Sequence, residues 1–295
     1  MSDKVFDNIL ELPNSQIKEK AETLVGFEQK FNRIHNNLRL LLDKEGLESW
    51  RQKFHMGSLP AVDYLVDKYP LIIFEGDVGT GKTASAEALA DRMTRELGKQ
   101  GFFLRLSTRV RGEGLHGEMG NLVNDAFAEL ITQAGKRRLA FLLIDEADAI
   151  ATTRSTHQMH QEEKAGVNTL IQKIDEIRSL NGRAIVIMST NRLHFLDEAI
   201  IRRAAIVVKF ERPTDDERKE LIEKDLDGAD LSTEEIKSIV ELTGPNENEG
   251  IGFSFSDLRL RLFPESIAAA FPSSPLNYDI VRETLNHIKP SPVIK

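Results

Sequence analysis

The chain has 295 residues, 40% of them hydrophobic, and a net charge of −8 from 47 acidic and 39 basic side chains. That length suits one large domain or a medium domain with a smaller partner, and the acidic balance sets its long-range field against phosphate backbones and acidic membrane surfaces. With no cysteine at all, disulfides, thiolate metal sites and a cysteine nucleophile are excluded.

The start, MSDKVFDNIL, lacks the charged-then-apolar pattern of a signal peptide, and no later apolar run approaches membrane-spanning length, so we expect a cytoplasmic protein. Residues 1–24 read as a short arm, too few for a separate folded domain. The stretch Glu45 to Lys68 holds the only tryptophan, Trp50, and mixes a helical pattern with a Gly-Ser-Leu-Pro break. From Leu71 onward, apolar runs are continuous rather than alternating: Leu71 to Phe74, Phe102 to Leu106 with Arg105 interrupting, Leu139 to Ile144, Ala184 to Met188 and Ala204 to Val208. Continuous runs mark strands covered on both faces, the habit of parallel sheets. Between them lie amphipathic helical patterns: Ala86, Leu89, Ala90, Met93 and Leu97; then Leu122, Val123, Ala126, Phe127, Leu130 and Ile131; then Val167, Leu170, Ile171, Ile174 and Ile177. Strand alternating with helix predicts an α/β domain with a five-stranded parallel sheet, over residues 25–212.

From Pro213 the pattern changes. No strand-like run follows, and helix-start signals recur at Thr214 with Glu217 and Ser232 with Glu235, each spaced as a capping box. Residues 213–295 therefore read as a small helical domain. Its helices would carry Leu221 and Ile222; Ile236, Ile239 and Val240; Leu258, Leu262 and Ile267; and Ile280, Val281, Leu285 and Ile288.

The chemistry starts where the first parallel strand ends. Gly76, Asp77, Val78, Gly79, Thr80, Gly81, Lys82 and Thr83 satisfy G-x-x-x-x-G-K-T between a buried strand and an amphipathic helix. A triphosphate needs backbone N–H groups at close range, which side chains would block, and the helix N-terminus adds its dipole. Lys82 would reach the β- and γ-phosphates, and Thr83 would offer its hydroxyl to Mg²⁺. The run LAFLLIDEAD then delivers Asp145 and Glu146 to the carboxyl edge of the sheet, where ligands of open α/β sheets bind. Asp145 would hold the metal; Glu146 would orient and deprotonate the attacking water. Ser189, Thr190 and Asn191 end the next run, and Asn191 there would help fix that water. Arg202 and Arg203 close a short helix before the last strand. A planar, always-charged guanidinium suits the clamping of phosphoryl charge, but a helix C-terminus also attracts such residues through its dipole, and the residues alone leave both readings open.

Four motifs in this order resemble those of the AAA+ ATPases: Walker A at Gly76 to Thr83, Walker B ending in Asp145 and Glu146, sensor 1 at Asn191 and arginine fingers at Arg202 and Arg203. The resemblance implies a three-layer αβα P-loop domain followed by an α-helical lid. Within the lid SDLRLR matches sensor 2, with Arg259 the first candidate and Arg261 the second. TLVGFE, through Val25 and Gly26, matches the segment lining the adenine pocket. The resemblance further implies ATP with Mg²⁺ and a homo-hexamer in which Arg203, with Arg202 beside it, reaches the neighbour's nucleotide.

A finer match is to the pachytene-checkpoint group of AAA+ remodellers, the Trip-thirteen-like ATPases, carried by LHGEMGNLVNDAF, GVNTLIQKIDEI and RRAAIVVKFERPT. It implies a HORMA-domain protein substrate pulled through a hexamer pore. Leu115, His116 and Gly117 fall where relatives carry a pore-loop grip residue, commonly aromatic; an aromatic ring offers more contact area than these do. Compact relatives of this length accompany bacterial HORMA proteins in cyclic-oligonucleotide anti-phage systems. Arg105, Arg109 and Arg111 form a basic cluster beside that loop, open to pore, single-stranded nucleic-acid or solvated readings, while Lys136, Arg137 and Arg138 read as a solvated face. The rival class, a helicase loader or transposition ATPase of AAA+ type, is disfavoured by the acidic charge.

Overall fold

The computed structural model describes residues 5–66, 68–107, 118–151, 161–245 and 250–293. The chain divides into two compact units: a sheet unit built from the segments up to Thr23, Phe27–Glu75 and Thr83–Lys209, and a helical unit built from Leu24–Gly26, Gly76–Lys82 and the chain from Phe210 onward.

The sheet has six strands, β1 (Phe6–Leu12), β2 (Leu71–Gly76), β3 (Gly101–Leu106), β4 (Leu139–Ile144), β5 (Ala184–Thr190) and β6 (Ile206–Phe210), in the order β1-β3-β4-β5-β2-β6. β3 with β4, β4 with β5 and β5 with β2 are parallel pairs. Five strands match the five apolar runs, the last starting two residues late. The sixth, β1, pairs antiparallel with β3, Ile9 opposite Leu104. Its sequence, FDNILEL, buries only Phe6 and Leu12, so it has no continuous run to betray it; an antiparallel edge strand on an otherwise parallel sheet is a common arrangement.

Both faces of the central strands are buried, as parallel strands require. Leu71 and Ile73, Leu104 and Leu106, Leu142 and Ile144, and Val186 and Met188 share one core with Phe127, Leu130, Val167, Leu170 and Ile174 of the crossover helices α6 (Glu118–Ala134) and α7 (Gln161–Ile177). The alternate residues Ile72, Phe74, Phe103, Phe141, Leu143, Ile185 and Ile187 are equally inaccessible. Ahead of β2 lie α1 (Ser15–Glu22), α2 (Phe27–Leu42), α3 (Lys44–His55) and α4 (Ala61–Val66), and α5 (Lys82–Glu96) follows the phosphate-loop motif. The Gly-Ser-Leu-Pro break thus separates α3 from α4. Leu47, Trp50, Leu59, Val62 and Leu65 line a groove of about 550 Å³ there.

In the helical unit both expected capping boxes are present, starting α9 (Asp215–Asp225) at Thr214 and α10 (Thr233–Leu242) at Ser232. A third, Ser254 with Asp257, starts the short helix α11 (Phe255–Asp257). A π-helical turn, Leu258–Leu262, then leads into α12 (Phe263–Ala270), and α13 (Tyr278–Leu285) closes the unit. Leu221, Ile222, Ile239, Leu258, Leu262 and Val281 form its apolar core, which Val25 joins. Ile267, expected to point inward, is 51% exposed. The wide turn adds a residue to the helical repeat, so the buried face continues through Phe263, Ser266 and Ala270 instead.

Candidate functional site

The phosphate-loop residues Gly76–Lys82 belong to the helical unit. The loop needs glycine for two different reasons. At Gly76, with φ +154°, a Cβ would fall 2.0 Å from the Phe210 carbonyl oxygen, so only a bare backbone allows the close approach. At Gly81, with φ +89°, a Cβ would meet no atom within 4 Å. There the backbone faces open space, a cradle that suits a phosphate group. The loop is held from inside: Lys82 donates through Nζ to the carbonyls of Gly76 (2.9 Å) and Asp77 (2.8 Å), and the Thr80 hydroxyl donates to Asp77 O (2.8 Å). Lys82 is 8% exposed, so its ammonium is a desolvated charge next to the loop backbone. Val78 is exposed. Val25 and Gly26 lie in the same unit, Val25 buried in its core and Gly26 turning the chain at φ +69° into α2.

The carboxylate half of the site is in the sheet unit. β4 and β5 run parallel with Ile144 opposite Met188, which brings the next residues, Asp145 and Ser189, side by side. Asp145 is the centre of a convergent set. Its Oδ2 accepts from the Thr83 hydroxyl (2.9 Å) and from Arg105 Nη2 (3.2 Å); its Oδ1 accepts from the Ser189 hydroxyl (2.7 Å) and from the Glu146 N–H (3.1 Å). Thr83 and Asp145 are therefore together, as the motif reading requires. Their donors are all oxygen, which suits Mg²⁺: a hard cation held by one or two protein groups that takes its other ligands from phosphates and water. Among the described residues, no group of three His, Cys, Asp or Glu side chains could hold a metal by itself.

Glu146 is exposed and left-handed, φ +49° and ψ +47°. A glutamate in that region carries backbone strain of about 1 kcal/mol or more, held in the turn that follows β4. Asn191 follows β5 and is half-buried. Beside it Thr190 donates through Oγ1 to Asp148 Oδ1 (3.0 Å) and accepts the Arg192 N–H (3.0 Å), which fixes this strand end to the turn after β4.

The two arginines of the short helix α8 (Glu198–Ile201) and its C-terminus differ sharply. Arg202 is 79% exposed and paired with Glu198 at 2.9 Å. Arg203 is 22% exposed, forked onto Asp175 through Nε (2.8 Å) and Nη2 (3.1 Å), donating to Ala199 O (3.0 Å) and lying over the Tyr69 ring at 5.2 Å. The Asp175 hydrogen bonds push its pKa above the usual guanidinium range. In the helical unit, Arg259 is forked onto Asp225 (2.5 and 2.8 Å), and Arg261 donates to Asp257 (2.9 Å) and Lys289 O (3.0 Å). Both sit on the π-helical turn, a feature common at functional positions. Leu115, His116 and Gly117 lie outside the described residues, as do Arg109 and Arg111.

Three residues at these places escape motif reading. Arg105, grouped by sequence with the basic cluster after β3, has its guanidinium on Asp145. Ser189 was one of three polar residues at a strand end, and only the β4–β5 register singles it out. Arg212 bonds Asp77, 135 positions away, with no local signal at all.

An α/β sheet ending in a phosphate loop, an Asp-Glu pair and a polar strand tip defines a P-loop ATPase, and the chain belongs to the AAA ATPases. The family model for ATPases associated with various cellular activities matches residues 72–212. Over 98% of this chain and 97% of the other, it is 45% identical to CD-NTase-associated protein 6 of Escherichia coli strain KTE188. It also matches a chain in the solved E. coli MS115-1 HORMA:CdnC:Trip13 complex, 37% identical with a TM-score of 0.92 over all of this chain and 99% of that one. Rhizobiales Trip13 matches at 32% identity and a TM-score of 0.75 over 98% and 100%. Its branch of the family is therefore the Trip13-like one, and it is an ATP-hydrolysing enzyme. Among the described residues, no helix is long and apolar enough to cross a membrane.

Proposed function

We propose that this protein is a cytoplasmic, ring-forming ATPase, most simply a homo-hexamer, that uses ATP and Mg²⁺ to remodel a HORMA-domain protein in an anti-phage signalling system. The observation that carries the chemistry is the convergence of Thr83, Ser189 and Arg105 on Asp145. Full-length likeness to a chain in a HORMA:CdnC:Trip13 complex supports the partner.

Gly76 to Gly81 and Lys82 hold the phosphates, and Thr83 with Asp145 holds the metal. Bound Mg²⁺ would offset the negative charge of the β- and γ-phosphates. Glu146 accepts the proton of the attacking water, and Asn191 orients that water. Arg259 from the lid, once released from Asp225, offsets developing charge, with Arg261 the second candidate.

Of the two fingers, Arg202 is the one poised to reach a neighbouring subunit. Its surface pair with Glu198 contributes roughly 0–1 kcal/mol and is cheaply given up. Arg203 would have to leave a forked carboxylate, a carbonyl and a ring. Leu115, His116 and Gly117 are proposed to grip the substrate in the pore.

The test uses a trap. Tagged Glu146→Gln protein with ATP, and Lys82→Ala as the non-binding control, are used to pull partners from lysate of the native host, with native mass measured in parallel. Recovery of a HORMA-domain protein on the trap alone, at hexamer mass, is the expected result. DNA-processing partners released by nuclease would overturn the substrate assignment and leave the ATPase standing.

A further inference from the structure

The phosphate loop contains an aspartate, Asp77, in a place built to receive an anion. Its side chain is 11% exposed, so its charge is poorly screened and would repel a triphosphate. Arg212 meets it. The guanidinium, 12% exposed, donates through Nε (2.7 Å) to Asp77 Oδ2, which Nη2 also approaches at 2.5 Å. Its remaining capacity goes to two carbonyls, Gly252 O through Nη1 and Ser291 O through Nη2, both 2.6 Å.

Asp77 is also the hub of the loop. Its Oδ1 accepts the Val78 N–H (2.8 Å), and its carbonyl accepts both the Thr80 hydroxyl and the Lys82 ammonium. One residue therefore joins Arg212 on its side chain to the phosphate-binding lysine on its main chain. Behind Arg212 lies Asp257, 1% exposed, with Oδ2 at 3.9 Å from Nη1. Asp257 is held by the N–H and hydroxyl of Ser254 and of Ser291. The same Ser254 turn packs on Gly79, whose carbonyl accepts the Ser256 N–H at 3.1 Å and whose Cβ would fall 2.7 Å from Ser254 Oγ.

We infer that Arg212 is a positioning residue for nucleotide binding: it neutralises Asp77 and anchors the phosphate loop to the Gly252 and Ser291 segments, so that these remote segments set ATP affinity. This rests on the nucleotide-binding reading above. The forked geometry matters as well as the charge, since lysine offers a point charge without the planar fork.

The experiment is titration of the full-length chain with a fluorescent ATP analogue and Mg²⁺, with thermal melts alongside. Arg212→Gln leaves a buried, unpaired carboxylate in the loop and raises the nucleotide Kd by about tenfold or more. Adding Asp77→Asn to Arg212→Gln removes the stranded charge and returns the Kd to within about threefold of wild type. A merely structural arginine would make the double variant no better than the single. That result, or an unchanged Kd in Arg212→Gln, overturns the inference while wild-type binding keeps the ATPase reading intact. Wild-type protein that binds no nucleotide overturns both. Should Arg212→Gln not fold, Arg212→Lys carries the test: a Kd raised a few-fold at unchanged melting temperature supports the inference, and an unchanged Kd sinks it.

Discussion

The two units are stabilised in opposite ways. In the sheet unit every residue of β4 and β5 is buried, and nearly all of them are apolar. The helical unit surrounds its apolar core with buried or nearly buried ions: Arg212, Asp257, Arg218 and Asp77. Charge follows the same division. Residues 213–295 hold seventeen acidic and nine basic side chains, so they carry the whole net charge of −8, while the preceding 212 residues balance thirty against thirty. A unit that holds Asp145 and Glu146 at strand ends needs rigid, pre-set strands, and continuous burial supplies them. A unit that holds the phosphate loop needs its backbone fixed at a few points, and fork-shaped ion pairs do that with geometric specificity.

If the sheet unit carries the chemistry, the largest single effect comes from Glu146→Gln. Turnover should fall by about 10²–10⁴-fold with nucleotide binding retained, as loss of a general base implies. Steady-state ATPase beside equilibrium nucleotide binding checks it, and full turnover would remove Glu146 from its role.

Next come the paired arginines. Arg202→Ala should lower ATPase of the assembled ring by about 10³-fold, the scale of an arginine finger, with the melting temperature unchanged. Arg203→Ala should instead lower the melting temperature, because it strips Asp175 of its forked partner. The reverse pattern would make Arg203 the finger and Arg202 an ordinary surface residue.

A third prediction probes the core. Phe127 is fully inaccessible among the sheet residues, and Phe127→Ala should cost about 3–5 kcal/mol in denaturant unfolding. A cost under about 1 kcal/mol would mean that the α6 layer is loosely packed.

Legibility from sequence divides along the same line. The central parallel strands stood out because burial on both faces leaves unbroken apolar runs, and the site residues at their ends followed from position. β1 was hidden because an edge strand buries little. The Ser254 capping box was missed because Asp257 stands where the familiar signal has Glu or Gln. Ile267 was misplaced because a π turn leaves no mark in an apolar pattern. The Arg212–Asp77 pair was invisible for a more general reason. Ion pairs between residues far apart in the chain have no period, and their partners look like any surface charge until the fold brings them together. The choice of Arg202 over Arg203 likewise could not be made before Asp175 and Tyr69 were found beside Arg203.

The smallest predicted effect is the most specific to the helical unit. Burial alone would raise the pKa of Asp257, but the hydroxyl and N–H of Ser291 and of Ser254 hold its carboxylate down to about 2, from an ordinary value of 3.8. A carboxylate whose pKa is lower folded than unfolded adds stability that is fully present above the unfolded value. That stability drains away as pH falls from about 4 toward about 2, and the difference is worth about 2 kcal/mol. Other carboxylates titrate in the same window, so the quantity to measure is the gap in unfolding free energy between wild type and Asp257→Asn. The gap should be widest near neutral pH and narrow by about 2 kcal/mol at pH 2. Trp50, in the sheet unit, reports that unit by fluorescence, while circular dichroism follows both. A gap that does not change with pH would mean that Asp257 contributes its hydrogen bonds without its charge, and the helical unit would then owe less to buried ions than its geometry implies.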